Sequence, residues 1–83
     1  MSHEIVFEPH ALDSAARFLE EDPNGFTLAL GAIGELADDP RPVGSTPYMS
    51  PDVRRLRVAG HRALYVIGED MIRIRITHLG RTT

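Results

Sequence analysis

Cysteine is absent from the 83 residues, which excludes disulfides, a thiolate nucleophile and any zinc site built on cysteine. Lysine is absent too, so all nine basic side chains are arginines, whose planar guanidinium suits bidentate contacts with phosphate. No apolar run approaches the ~20 residues that a membrane span needs, and the N-terminus lacks the basic and apolar regions of a signal peptide. These absences predict a cytoplasmic protein that has no contact with the membrane.

The net charge of −3 conceals an uneven distribution along the chain. Residues 1–40 hold nine acids and one arginine, net −8, whereas residues 41–83 hold eight arginines and three acids, net +5. Such asymmetry points to a surface for nucleic acid or another polyanion on the basic half. Charge alone leaves one alternative open, a solvated sheet face whose arginine stems cover apolar surface.

The first half of the chain predicts a short strand followed by two helices. Residues 3–7 form an apolar strand, and Pro9 suits the first turn of a helix. Asp22 and Pro23 then predict the N-cap and first residue of a second helix, which Pro40 ends. Gly31 and Gly34 inside that helix indicate close approach of another backbone. The predicted buried positions are Leu12, Ala15, Ala16 and Leu19 in the first helix, and Phe26, Ala29, Leu30, Ile33, Leu36 and Ala37 in the second.

The second half reads as a loop and three strands. Residues 41–52 contain three prolines and predict a loop, and strand patterns follow at 53–58, 62–68 and 71–79, with a turn at 68–70. In the last strand Ile72, Ile74 and Ile76 point inward, and Arg73, Arg75 and Thr77 point outward. We therefore expect a single α+β domain over residues 1–83, ordered β-α-α-β-β-β, with an αα-hairpin packed on a mainly antiparallel four-stranded sheet.

Arginine spacing along these strands predicts one basic surface. Alternation puts Arg55 and Arg57 on one face of their strand, and Arg73 and Arg75 on one face of the last strand. Such a surface attracts phosphates and can stabilise charge on a phosphoryl oxygen. The full set of candidates is Arg54, Arg55, Arg57, Arg62, Arg73, Arg75 and Arg81.

Two histidines stand beside this set. His61 lies next to Arg62 in a predicted turn, and His78 precedes Arg81 by three residues, so either can transfer protons near neutral pH unless it is an ordinary surface residue. Tyr48, in the proline-rich segment, can stack on the sheet or on a nucleic-acid base. No spacing indicates a metal ligand set, and no metal or cofactor is expected.

The stretches "LADDPRPVGS" (36–45) and "SPDVRRLRVAGHRALYVI" (50–67), followed by a last strand running into "HLGR" (78–81), resemble the RelE/ParE family of bacterial toxins. The resemblance covers essentially the whole chain. It implies a type II toxin–antitoxin system in which a cognate antitoxin neutralises the toxin, and a complex of the two that binds operator DNA through the antitoxin. For the RelE branch it implies a metal-independent mRNA endoribonuclease that acts on the ribosome, where the mRNA 2′-OH attacks its own 3′ phosphate.

The same resemblance assigns roles by position. Arg62 matches the turn arginine that handles the scissile phosphate, and Arg81 matches the basic residue after the last strand. Arg55 and Arg57 fall in the region of the strand's basic residues, one of which serves as general base in the family, and we expect these two arginines to position the phosphate. Because arginine, with a pKa above ~12, is a poor general base, His61 or His78 takes that role in an active enzyme.

Two alternatives remain at this point. The first is a ParE-like inhibitor of DNA gyrase, which has no chemistry of its own. RelE proteins usually continue to a tyrosine that stacks on the substrate base, and a sequence that stops at Thr83 favours this reading. The second is a degenerate toxin that only binds its antitoxin.

Overall fold

Two helices and a five-stranded sheet make up the structure, a computed structural model that describes residues 2–68 and 70–82. The sheet order is β1-β5-β4-β3-β2, with β1 parallel to β5 and the other neighbours antiparallel. Both helices pack on one face, and we call the other the open face. The elements are β1 (Glu4–Phe7), α1 (Pro9–Glu21), α2 (Pro23–Glu35), β2 (Ser45–Tyr48), β3 (Ser50–Val58), β4 (His61–Gly68) and β5 (Arg73–Arg81).

The predicted α+β fold and the order of its elements are confirmed, but the count of four strands is wrong. Residues 45–48, predicted as a loop, pair with β3 as an additional edge strand. Pro47 lacks a backbone N–H, and an edge strand tolerates this because one side of its backbone has no neighbouring strand. The prolines of this segment, which predicted a loop, instead mark the edge of the sheet.

Helix α1 buries a different face from the predicted one. Ala11, Ser14 and Phe18 are buried, whereas Leu12 and Leu19 are 58% and 46% exposed. The two candidate faces overlap at the intermediate Ala15, and Phe18 decides between them because its large ring packs with Phe26 of α2. The predicted inward orientation of the two leucines is therefore wrong.

Helix α2 begins as predicted. Asp22 caps it by accepting a hydrogen bond from the Gly25 N–H at 3.3 Å, and Pro23 occupies the first turn. Its predicted apolar face is confirmed. Gly31 and Gly34, however, face open space, since a Cβ built at either meets nothing within 4 Å. The predicted close backbone approach at these glycines is wrong.

Strands β4 and β5 supply most of the core beneath the helices. Tyr65, Ile74 and Ile76 are fully buried, and the Tyr65 hydroxyl donates a hydrogen bond to the Pro40 carbonyl at 2.7 Å. Ile72 lies outside β5 with a φ of 49° and is 37% exposed, so its predicted inward position is wrong. Of the predicted turn at 68–70, residue 69 lies outside the described residues.

A β-bulge in β5 changes which side chains face the helices. Tyr65 pairs with Ile76 and Leu64 pairs with His78, so Thr77 is an extra residue in the ladder. Simple alternation from Ile76 would turn His78 towards the helices. The bulge instead sends His78 to the open face and Leu79 into the core.

No helix within residues 2–68 and 70–82 has the length and apolar character needed to span a membrane.

Candidate nucleic-acid interface

A cleft of about 340 Å³ lies on the open face of the sheet. Its walls come from four adjacent strands of the sheet, β2, β3, β4 and β5. Sequence reasoning did not predict that Leu64 and Gly80 line this site. The cleft is lined by Tyr48, Arg55, Arg62, Leu64, His78, Leu79 and Gly80.

Three arginines on the open face have no acidic partner among the residues that the structure describes. Arg57 pairs directly with Arg62 across the β3–β4 ladder, and Arg55, two residues before Arg57 on β3, lies on the same face. Among the described residues, none of the three lies within 4.0 Å of a carboxylate. Like charges directly opposite each other destabilise a sheet. A bound anion between these arginines would relieve the repulsion.

Gly80 gives Arg62 its position in the cleft. The two residues are partners in the β4–β5 register, and a Cβ built at Gly80 would lie 3.1 Å from Arg62 Nε. This is closer than ordinary van der Waals contact, so a side chain at this position would require the Arg62 guanidinium to shift by a few tenths of an ångström. The absence of a side chain lets Arg62 lie across β5, close to His78 on the same strand.

His78 reaches the open face through the bulge at Thr77. It lines the cleft, and its Nδ1 lies 3.1 Å from the Thr77 hydroxyl oxygen. Its ring also contacts the ring of His10 at the start of α1, edge to face, with 5.4 Å between the ring centroids. His78 is thus the predicted histidine that the fold brings to the cleft arginines. No pattern in the sequence predicted the contact with His10.

His61 lies on the other side of the sheet. It opens β4 instead of lying in an exposed turn, and its side chain is 2% exposed between the rings of Phe18 and Phe26. Its Nε2 lies 2.9 Å from Asp22 Oδ2. Since Arg62 faces the cleft, alternation turns His61 towards the helices. The predicted turn position of His61 is wrong, and the sheet separates its ring from the cleft.

The hydrogen bond from His61 lowers the pKa of the Asp22 carboxyl below its ordinary value. Desolvation opposes this shift, while the Gly25 N–H and the Arg81 guanidinium support it. Asp22 therefore joins the junction between the two helices to the ends of β4 and β5.

Arg81 is the cross-strand partner of His61 and shares its face of the sheet. Its Nη2 lies 3.7 Å from Asp22 Oδ2. Arg54 also belongs elsewhere, because its Nε and Nη2 donate hydrogen bonds to the hydroxyl and carbonyl oxygens of Ser45 at 2.9 and 3.1 Å. Neither arginine lines the cleft that holds Arg55 and Arg62.

Arg73 and Arg75 are on the open face as predicted, but Glu4 of β1 and Glu8, the residue after β1, neutralise them. Arg73 Nε donates to Glu4 at 2.8 Å, and Arg75 pairs with Glu8. The parallel pairing of β1 with β5 brings these acids alongside. The predicted basic surface of seven arginines is therefore narrower, since its unneutralised part is Arg55, Arg57 and Arg62.

Within the described part of the chain, no three His, Asp or Glu side chains gather closely enough to hold a metal ion.

Comparison with solved structures identifies the fold as that of the RelE toxins. The isolated RelE toxin of E. coli superposes with a TM-score of 0.83 at 14% identity, over 99% of this chain and 86% of that one. A chain of the archaeal RelE–RelB complex from Pyrococcus horikoshii gives 0.76 at 15% identity, over 99% and 97%. A chain of the toxin–antitoxin complex RelBE2 from Mycobacterium tuberculosis gives 0.77 at 15% identity, over 98% and 99%.

No protein-family model and no curated protein sequence matches the chain. At these identities the likeness establishes the fold alone, and the chemistry must be argued from the cleft.

Proposed function

We propose that this protein is a RelE-like toxin that cleaves mRNA on the ribosome and is neutralised by a cognate antitoxin. The observation that carries the proposal is that Arg55 and Arg62 line one cleft with His78, with Arg57 as the cross-strand partner of Arg62, in a fold shared with RelE toxins. Repulsion between Arg57 and Arg62 destabilises the sheet in the free protein, and a bound phosphodiester would remove this repulsion.

The cleft residues suit a phosphoryl transfer that needs no metal. His78, as a neutral imidazole, takes the proton from the RNA 2′-OH, and the 2′-oxygen attacks the adjacent phosphorus. The bond from phosphorus to the 5′-oxygen breaks and a 2′,3′-cyclic phosphate forms. The leaving oxygen takes a proton from water, and the hydroxide so formed takes the proton from His78, which returns to the neutral form. Arg55 and Arg62 stabilise the charge that develops on the phosphoryl oxygens, and Arg57 binds the RNA backbone and keeps the RNA strand in place.

The partners follow from the same proposal. The RelE structures from Pyrococcus horikoshii and Mycobacterium tuberculosis are complexes with antitoxin, which supports an antitoxin partner for this chain. Translated mRNA as substrate places the protein in the cytoplasm.

The first test is induction of the gene without an antitoxin. We expect arrested growth and inhibited translation from the wild-type chain and from Arg75→Ala, and normal growth from Arg62→Ala at equal expression. Arg75→Ala is the matched control because it removes an arginine from the same face of the sheet but outside the cleft. Equal toxicity of Arg62→Ala would make Arg62 part of a solvated face.

A DNA supercoiling assay on the purified protein distinguishes the gyrase alternative. Inhibited gyrase together with intact transcripts would contradict RNA cleavage and establish the ParE-like activity.

A further inference from the structure

We propose that Tyr48 stacks on an unpaired base, so that the cleft takes single-stranded nucleic acid in preference to a duplex or a free anion. This inference rests on the proposed function and adds to it the class of substrate and a residue that selects it. The observation behind it is an exposed aromatic ring at the edge of a cleft whose other polar groups suit phosphate.

The exposure of Tyr48 sets it apart from the other tyrosine. Tyr65 is fully buried and its hydroxyl is bonded to Pro40, whereas Tyr48 is 42% exposed. A large ring left in water on an edge strand gains little for the fold. It retains one face free for another flat, apolar partner, and every nucleic-acid base offers such a face.

The backbone holds Tyr48 firmly in this position. Pro47 precedes it with a fixed φ, and Met49 follows it with a φ of 68°, in the left-handed region that non-glycine residues rarely adopt. The register of β2 with β3 also shifts between Pro47 and Tyr48. A segment whose backbone is already constrained loses little backbone freedom when a base stacks on Tyr48, which favours binding.

Arg55 links the aromatic edge to the phosphate-binding arginines. Its guanidinium carbon lies 5.7 Å from the centroid of the Tyr48 ring, a cation–π contact. Tyr48 on β2 and Arg62 on β4 are separated by two strand spacings across the sheet, about 10 Å. They are also offset along the strands, since Pro47 pairs with Arg54 and Arg62 pairs with Arg57, three residues or about 10 Å further along β3. A base on Tyr48 therefore lets the adjoining phosphate meet Arg55, and the nucleic-acid strand continues along the cleft towards Arg62.

The tyrosine content gives a direct measurement. The chain has two tyrosines and no tryptophan, and Tyr65 is inaccessible, so any change of fluorescence on binding reports on Tyr48. The probe is a single-stranded hexanucleotide with 2′-deoxy sugars, so it has no 2′-OH that could attack the phosphate. Its affinity is compared with that of the same backbone carrying abasic sites and with that of the duplex of the same sequence. Titrations at low salt keep phosphate contacts strong.

Two variants separate stacking from apolar cover of the Arg55 stem. Tyr48→Phe keeps the ring, and we expect its affinity, measured by anisotropy of a labelled hexanucleotide, to equal that of the wild type. Tyr48→Leu keeps apolar volume without a ring, and we expect about five- to 150-fold weaker binding of the natural hexanucleotide. The abasic backbone should bind equally to the wild type and Tyr48→Leu.

The outcomes distinguish this inference from the proposed function. Quenched tyrosine fluorescence, loss in Tyr48→Leu and weaker binding of the duplex support stacking. Binding that depends on Arg62 but is the same for Tyr48→Leu, or for natural and abasic probes, overturns stacking and leaves the proposed function intact. No binding at millimolar hexanucleotide overturns stacking as well, while the growth test decides the proposed function separately.

Discussion

Replacing Arg57 by Gln should stabilise the free protein while it weakens RNA binding. Arg57 and Arg62 are direct cross-strand partners, and no carboxylate among the described residues lies within 4.0 Å of either. The Arg62 guanidinium lies over Gly80 of β5, two strands from Arg57 on β3, so the two charges are about 8–10 Å apart. Two unit charges at that distance in water repel by about 0.4–0.5 kcal/mol. A Debye length of ~8 Å at physiological ionic strength reduces this to roughly a third.

The assay is thermal unfolding followed by circular dichroism at low and high salt. A gain of about 0.5 kcal/mol corresponds to a rise in Tm of roughly 2–4 °C for a chain of this size. We expect that rise for Arg57→Gln at low salt and its near disappearance at 0.5 M salt, on the order of a 4 Å Debye length. Arg75→Gln is the control, because it removes an equal charge but breaks an ion pair with Glu8.

A lower Tm for Arg57→Gln at low salt, or a gain that salt does not reduce, would refute the repulsion argument. A gain equal to that of Arg75→Gln would also refute it, because net charge alone would then explain both.

Three further predictions concern the cap, the cleft and the antitoxin. The pKa of Asp22 is lowered in the folded state, so the ionised carboxylate stabilises the fold fully above the unfolded pKa of ~3.9, and this stabilisation is lost as pH falls through the folded pKa. Urea unfolding from pH 6 to pH 3 should therefore show Asp22→Asn less stable than the wild type at pH 6, and the two stabilities should converge in acid. Gly80→Ala should displace the Arg62 guanidinium and weaken RNA binding several-fold without loss of Tm, and unchanged binding by anisotropy would contradict this. We expect the antitoxin to cover Arg55, Arg57 and Arg62 on the open face with an acidic segment, and its association should slow markedly between about 0.05 and 0.5 M salt, because the shorter Debye length screens the attraction. Stopped-flow rates independent of salt would argue against docking on the open face.

Hydrophobic periodicity and punctuation predicted most of the fold. Asp22-Pro23 marked the start of α2 because a cap and a proline act locally, and the strands from residue 53 onward were predicted from their apolar patterns. What failed depended on tertiary contacts. The buried face of α1 was decided by the packing of Phe18 on Phe26, and the edge strand β2 by pairing with β3.

The candidate site was predicted in part, for a related reason. Alternation placed Arg55 and Arg57 correctly on one face of β3. Arg73 and Arg75, however, are neutralised by Glu4 and Glu8, almost 70 residues away in sequence. The bulge at Thr77 determines that His78 faces the cleft. A single extra residue in a ladder leaves no periodic signal, so sequence alone left His61 and His78 equivalent.

The central claim, that the cleft arginines and His78 cleave mRNA, is tested most directly by primer extension on a message bound to programmed ribosomes. The wild type and Arg75→Ala should produce cuts within translated codons, bearing 2′,3′-cyclic phosphate ends, while Arg62→Ala and His78→Ala should leave the message whole. Intact message with the wild-type protein, or equal cutting by all four proteins, would contradict the account.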